Sequence, residues 1–162
     1  MSERDPRELL AALSSALELK TNVSDRSTPG VYIMLTRSGA VYIADIHDPD
    51  ATPTVTRYAG GAANALRDGQ PLPGVHGFSF NAWTGLGALI WWKDPTEYTD
   101  PSLPYVGTTR STSRVLLIAR LKDATTVGQE RAVSMLHQLI RALRDPDLDY
   151  PALVARPYID EE

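Results

Sequence analysis

The chain has 162 residues, a net charge of −4, 43% apolar and 22% charged residues, and no cysteine. This suits one globular domain with a sizeable core and excludes disulfides, thiol chemistry and cysteine-based zinc sites. The negative balance argues against non-specific nucleic-acid binding, which needs a clustered basic surface. No run reaches the roughly 18 apolar residues of a membrane helix. The charged start, Met1–Asp5, lacks the apolar core of a signal peptide, so the expectation is a cytoplasmic protein. Three lysines against thirteen arginines, with abundant Ala, Asp and Thr, match the bias of a GC-rich bacterium.

The first predicted element is a helix. Asp5 can cap it, Pro6 suits its first turn, and Glu8 completes a capping box. Leu9, Leu10, Leu13, Ala16 and Leu17 form one apolar stripe, and the helix is expected to fade over residues 20–23. Residues 24–30 read as a loop. Val31–Leu35 and Ala40–Ala44 then read as a hairpin joined through residues 36–39, with Gly39 free to take a positive φ.

Two readings compete next. Residues 54–58 alternate like a short strand, whereas Val55, Tyr58, Ala59, Ala62 and Leu66 fit one helical face. The reading adopted is a helix over residues 55–67 with Gly69 beyond its end, weakened by Gly60 and Gly61 at about 1 kcal/mol each. Residues 77–83 alternate as a strand, Thr84 and Gly85 make a turn, and residues 86–92 form the partner strand. Residues 93–112, broken by Pro95, Pro101, Pro104 and Gly107, read as an extended loop. Residues 113–121 form a strand buried on both faces over its centre. A last helix follows, with Thr126 and Gln129 as a capping box and Ala132, Leu136, Leu139, Ile140 and Leu143 as its stripe. Pro146 stops it. The expected organisation is a single domain over residues 1–146 and an acidic tail over 147–162.

Few residues offer chemistry. Asp45, His47 and Asp48 could begin a metal site, but no second cluster supplies further ligands, so a solvated strand end with an Asp-Pro turn is the reading and no metal or cofactor is expected. Thr108, Thr109, Arg110 and Arg114 form a candidate anion-binding loop, although no P-loop lysine follows. His76 lies among turn residues, and His137 sits beside the apolar stripe of the last helix. No Gly-x-Ser-x-Gly elbow is present, and no catalytic residue is assigned. Trp91 and Trp92 are consecutive on a strand, so one faces the core and the other faces a helix, a loop or a partner.

The order helix, hairpin, helix, three strands, helix resembles the roadblock/LC7 family. The likeness lies in the hairpin Pro29–Ala44 and the strand and helix Ser113–Leu143, with the small residue Gly128 in the helix's first turn. The resemblance implies an α+β fold with a single antiparallel sheet in αββαβββα order. It further implies a non-catalytic homodimer that regulates a small GTPase or signalling partner. The small residues of segment 59–65 and the neighbouring strand suggest an interface of Ala59, Gly60, Ala62, Ala63, Phe78, Phe80 and Trp83. The alternatives are an acidic immunity or inhibitor protein that binds a toxin, and a small enzyme using Asp45, His47 and Asp48.

Overall fold

The computed structural model describes residues 5–46, 48, 50–65, 67–82, 87–93 and 107–144. In chain order the elements are α1 (Pro6–Ala16), β1 (Leu17–Lys20), β2 (Asn22–Ser24), β3 (Val31–Thr36), β4 (Val41–Asp45), β5 (Thr54–Tyr58), β6 (Val75–Asn81), β7 (Gly87–Trp92), β8 (Thr108–Leu121) and α2 (Thr126–Leu143). The class is α+β. The eight strands make one antiparallel sheet ordered β2-β6-β7-β8-β3-β4-β5, with β1 also paired to β8.

This corrects the αββαβββα order. The first departure is at the end of α1. Asp5 caps the helix as expected, accepting from the Arg7 amide at 2.8 Å, but the helix stops at Ala16 and the chain runs straight into β1. There Leu17 to Lys20 pair with Leu121 to Ile118. The helical stripe and the strand share Leu17, whose side chain is buried in either conformation, so periodicity alone could not place the boundary.

The second departure is larger. No helix forms among the described residues of 55–67; residues 54–58 are β5, paired in register with β4 from Val41↔Tyr58 to Asp45↔Thr54. Thr54, Val55 and Thr56 are β-branched and favour a pleated surface. Gly60, at φ 56°, then ends the strand in a turn. Third, β8 begins at Thr108, so residues 108–112, read as loop, extend the strand and pair with β7. At α2 the cap is Thr125, one residue earlier than read. Its hydroxyl accepts from the Gly128 amide at 3.1 Å, while the Gln129 side chain donates to the Ala124 carbonyl. Residues 145–162, including the predicted tail, lie outside the described residues.

β8 is long enough, at 14 residues, to serve two sets of partners. Its first half pairs with β7 and its second half pairs with β1 and β3. The register against β3 steps from Leu35↔Leu117 to Thr36↔Val115, so Leu116 is an extra residue. Such a bulge bends and twists the strand. It also changes which face the side chains meet: Val115 and Ile118 enter one core, while Ala119 and Leu121 enter the other.

Two cores result, one on each face of the β3–β4 hairpin. The helix-side core joins Leu9 and Leu13 of α1 and Leu136 and Leu139 of α2 to Ile33, Leu35, Val41 and Ile43. The inner core contains no helical residue. It joins Tyr32, Met34, Tyr42 and Val55 to Phe78, Phe80, Ile90 and Trp92. Although β4 and β6 are separated by three strands along the sheet, the Tyr42 and Phe80 rings lie 5.4 Å apart. The sheet is therefore curled so that β6 and β7 close over β3 and β4. This is why β3 and β4 are buried on both faces.

Phe80, with no exposed surface, holds the curl closed. Phe80→Ala should cost about 3–5 kcal/mol, measured by urea denaturation. Leu19→Ala, at an exposed position of β1, should change stability by no more than about 0.5 kcal/mol.

Candidate functional site

Two surfaces of the described residues stand out, and both follow from the curl. The first is the outer face of the half-sheet that closes over β3 and β4. Alternation along β6, β7 and β8 places Gly77, Trp91 and Thr109 side by side in one row, and Ser79, Leu89 and Ser111 in the next. None of these six residues is charged. Both helices pack on the other half of the sheet, so this face keeps its apolar groups in solvent: Leu89 is 52% and Trp91 41% exposed. The expectation that Trp91 and Trp92 part company is met. Trp92 is 2% exposed and lies in the inner core.

Trp91 is held in place from two sides. A register step between Val75 and Gly77 makes His76 an extra residue, and its ring stacks on Trp91 with centroids 4.7 Å apart. On the β8 side, Gly107 abuts the indole so closely that a side chain there would overlap it. A pre-positioned, half-exposed tryptophan loses little side-chain entropy on binding, which favours it as an interface anchor.

The second surface is an open cleft of about 570 Å³ between α2 and the connection from β5 to β6. Arg57 of β5 organises that connection. Its guanidinium is buried, donating to Asp68 at 2.7 Å and to the Ala63 carbonyl at 2.9 Å. Asp68 also accepts from the Ala65 amide, and the Gly69 amide returns to the Arg57 carbonyl. The loop needs left-handed backbone at Gly60, Arg67 and Gly69. On the opposite wall Glu130, Ser134, His137 and Arg141 share one stripe of α2.

The His137 ring is fixed by two contacts. It lies against Gly60, where a methyl group would strike it, and its Nε2 is 3.2 Å from the Tyr58 carbonyl. A carbonyl only accepts, so Nε2 carries the proton and Nδ1 keeps its lone pair in the neutral ring. Burial, aided by the charge of Arg141, holds the imidazole below its ordinary value of 6.5, against the opposing effect of the Tyr58 carbonyl. Burial pushes Tyr58 up, and Glu130 adds to the shift.

The residues singled out in the sequence are dispersed. Asp45 ends β4 opposite Thr54, and Asp48 accepts from the Asp50 amide at 3.0 Å in a turn. His47 lies outside the described residues, among which no three of His, Asp and Glu are grouped to hold a metal. The candidate anion loop is a strand, and alternation splits it. Thr109 is exposed beside Trp91, whereas Arg110 lies over the Trp92 ring at 5.1 Å. Arg114 is exposed opposite Gly87. Of the expected interface, Phe78 and Phe80 are inner-core residues and cannot meet a partner. Ala62 packs partly against that core, the Ala63 carbonyl serves Arg57, and Ala59 and Gly60 line the cleft. Trp83 lies outside the described residues. Sequence reading missed the cleft because Arg57, Asp68 and His137 carry no motif. The only sequence signal was the pair of glycines at 60 and 69 that bracket the loop.

No known protein family matches this chain, and no curated protein or solved structure matches it significantly.

His137 gives a pH signature. Its folded pKa lies below that of the unfolded chain, so below about pH 6.5 the unfolded state binds the extra proton and stability falls as pH falls. The denaturation midpoint of the wild type should therefore drop more between pH 7 and 5 than that of His137→Gln, which has no titrating ring. Equal drops would show that the ring is protonated as easily in the fold as in the unfolded chain.

Proposed function

We propose that this chain is a non-catalytic interaction module that forms a homodimer through the outer face of β6, β7 and β8. The observation that supports this most directly is the half-exposed Trp91, stacked on His76 and next to the exposed Leu89, on a sheet face that neither α1 nor α2 covers. Interface centres are poor in charge and are anchored by aromatic residues; the six-residue grid is uncharged and has one such anchor, Trp91. The grid replaces the interface expected around residues 59–65, where no helix exists to carry it. A small GTPase or another signalling protein is the class of further partner that the roadblock/LC7 resemblance implies.

A dimer of standard size buries about 800 Å² on each protomer. Light scattering at micromolar concentration should report twice the monomer mass. Trp91→Ala should raise the dissociation constant by at least about thirtyfold, as a hot-spot loss of about 2 kcal/mol requires, with the circular dichroism spectrum unchanged. A monomeric wild type, or a dimer indifferent to Trp91→Ala, would overturn the reading.

A further inference from the structure

We propose that the tip of the β3–β4 hairpin, with the facing part of β8 and the end of α2, binds a phosphate monoester. The site uses none of the six residues of the outer-face grid and does not depend on the dimer. Three arginines meet there. The Arg37 amide donates to the Arg114 carbonyl at 2.8 Å, one step beyond the Thr36↔Val115 pair, so the two arginines face each other across the strands. The Arg144 guanidinium donates to the Arg37 carbonyl at 2.6 Å and lies alongside Gly39. All three arginines are exposed.

This positive charge has no counterpart nearby. β3, its turn and β8 contain no carboxylate. Glu130, the one carboxylate of α2, lies 14 residues before Arg144, about 21 Å along the axis at 1.5 Å per residue. Among the described residues no carboxylate pairs with Arg37, Arg114 or Arg144. The net charge of −4 is no obstacle to an anion here. Residues 145–162 hold six acidic residues and one arginine, so residues 1–144 carry a net charge of +1.

Arg144 has a structural reason for its place, because the free carbonyls at the end of a helix favour a cation. Arg37 and Arg114 have none. Like charges directly opposite each other on paired strands repel, and an anion held between them turns that repulsion into attraction. Ser113 adds a neutral donor: its hydroxyl accepts from the Ser38 amide at 3.0 Å and keeps its own proton to give. The planar guanidinium fork matches the spacing of phosphate oxygens. A phosphate monoester carries close to two negative charges at neutral pH, so it balances a pair of arginines where a carboxylate balances one.

The test is an NMR titration of the ¹⁵N-labelled full chain at constant ionic strength and about pH 7.5, where the ester is a dianion. The amides of Ser38, Gly39 and Arg114 are followed. The probes are N-acetyl-phosphoserine amide and adenosine 5′-monophosphate, with acetate as the singly charged counterpart. The esters should give saturable shifts in the millimolar range and acetate none. Saturation by both places recognition in the phosphoryl group, and saturation by one assigns the site to that source. Arg37→Gln and Arg114→Gln should each weaken binding about fivefold, whereas Arg131→Gln, exposed elsewhere on α2, should leave it unchanged. The bond that sets Arg37 against Arg114 is main-chain, so these substitutions should leave the circular dichroism spectrum as it is. No saturation by either ester below about 20 mM, equal binding of acetate, or unchanged affinity in Arg37→Gln would each overturn the assignment. Dimerisation through Trp91 is read by light scattering, so the two proposals fail separately.

Discussion

Everything in this fold depends on one strand having three neighbours. Over its first half β8 pairs with β7; over its second half it pairs with β1 along that same edge and with β3 along the other. The arrangement needs 14 residues of unbroken strand and a bend, and the extra residue at Leu116 supplies the bend. Without it the sheet would run on as a twisted ribbon with one wet face. With it, β6 and β7 return over the β3–β4 hairpin and a second core appears that owes nothing to helices. Burial of the hairpin on both faces is the direct consequence, and Tyr42 against Phe80 is the contact that records it.

The curl also explains how a buried arginine is accommodated. Arg57 lies on β5, next to the inner core, and its charge would be costly there without compensation. The connection from β5 to β6 supplies it by turning back: Ala63, Ala65, Asp68 and Gly69 are all tied to Arg57 directly or through Asp68. That loop is thereby presented to α2 as a fixed wall. Gly60 lets the wall approach the His137 ring, and the Tyr58 carbonyl fixes the ring's tautomer. The cleft is thus a by-product of neutralising one buried charge, an arrangement that leaves Asp68 Oδ1 buried without a hydrogen-bond partner.

The two candidate surfaces lie on opposite parts of the molecule and differ in chemistry. The outer sheet face carries an uncharged grid of six residues, with its aromatic group held between His76 and Gly107. The cleft is concave, with Glu130 and Arg141 of opposite charge along its α2 wall. A face of the first kind suits a protein, and a site of the second kind suits a small molecule.

The sequence by itself determined the local elements wherever one period had no rival. The Asp5 cap, the 31–44 hairpin turning at Gly39, the strands near 75–81 and 87–92 and the stripe of α2 were legible because capping chemistry, positive φ and alternation are short-range physics. The opposite fates of Trp91 and Trp92 followed from strand alternation alone. What the tertiary structure decided were the segments where two periods fit equally well. Residues 54–58 could bury Val55 as helix or strand, and β4 offered an open edge, so pairing chose the strand. Residues 17–20 and 108–112 became strands for the same reason: β7 and β8 supplied backbone partners that no local pattern announces. The cleft was illegible because Arg57, Asp68 and His137 meet only once a sheet edge, a loop and a helix 69 residues further on are packed together. Hydrogen bonds between distant segments have no periodicity, and a sequence read locally cannot contain them.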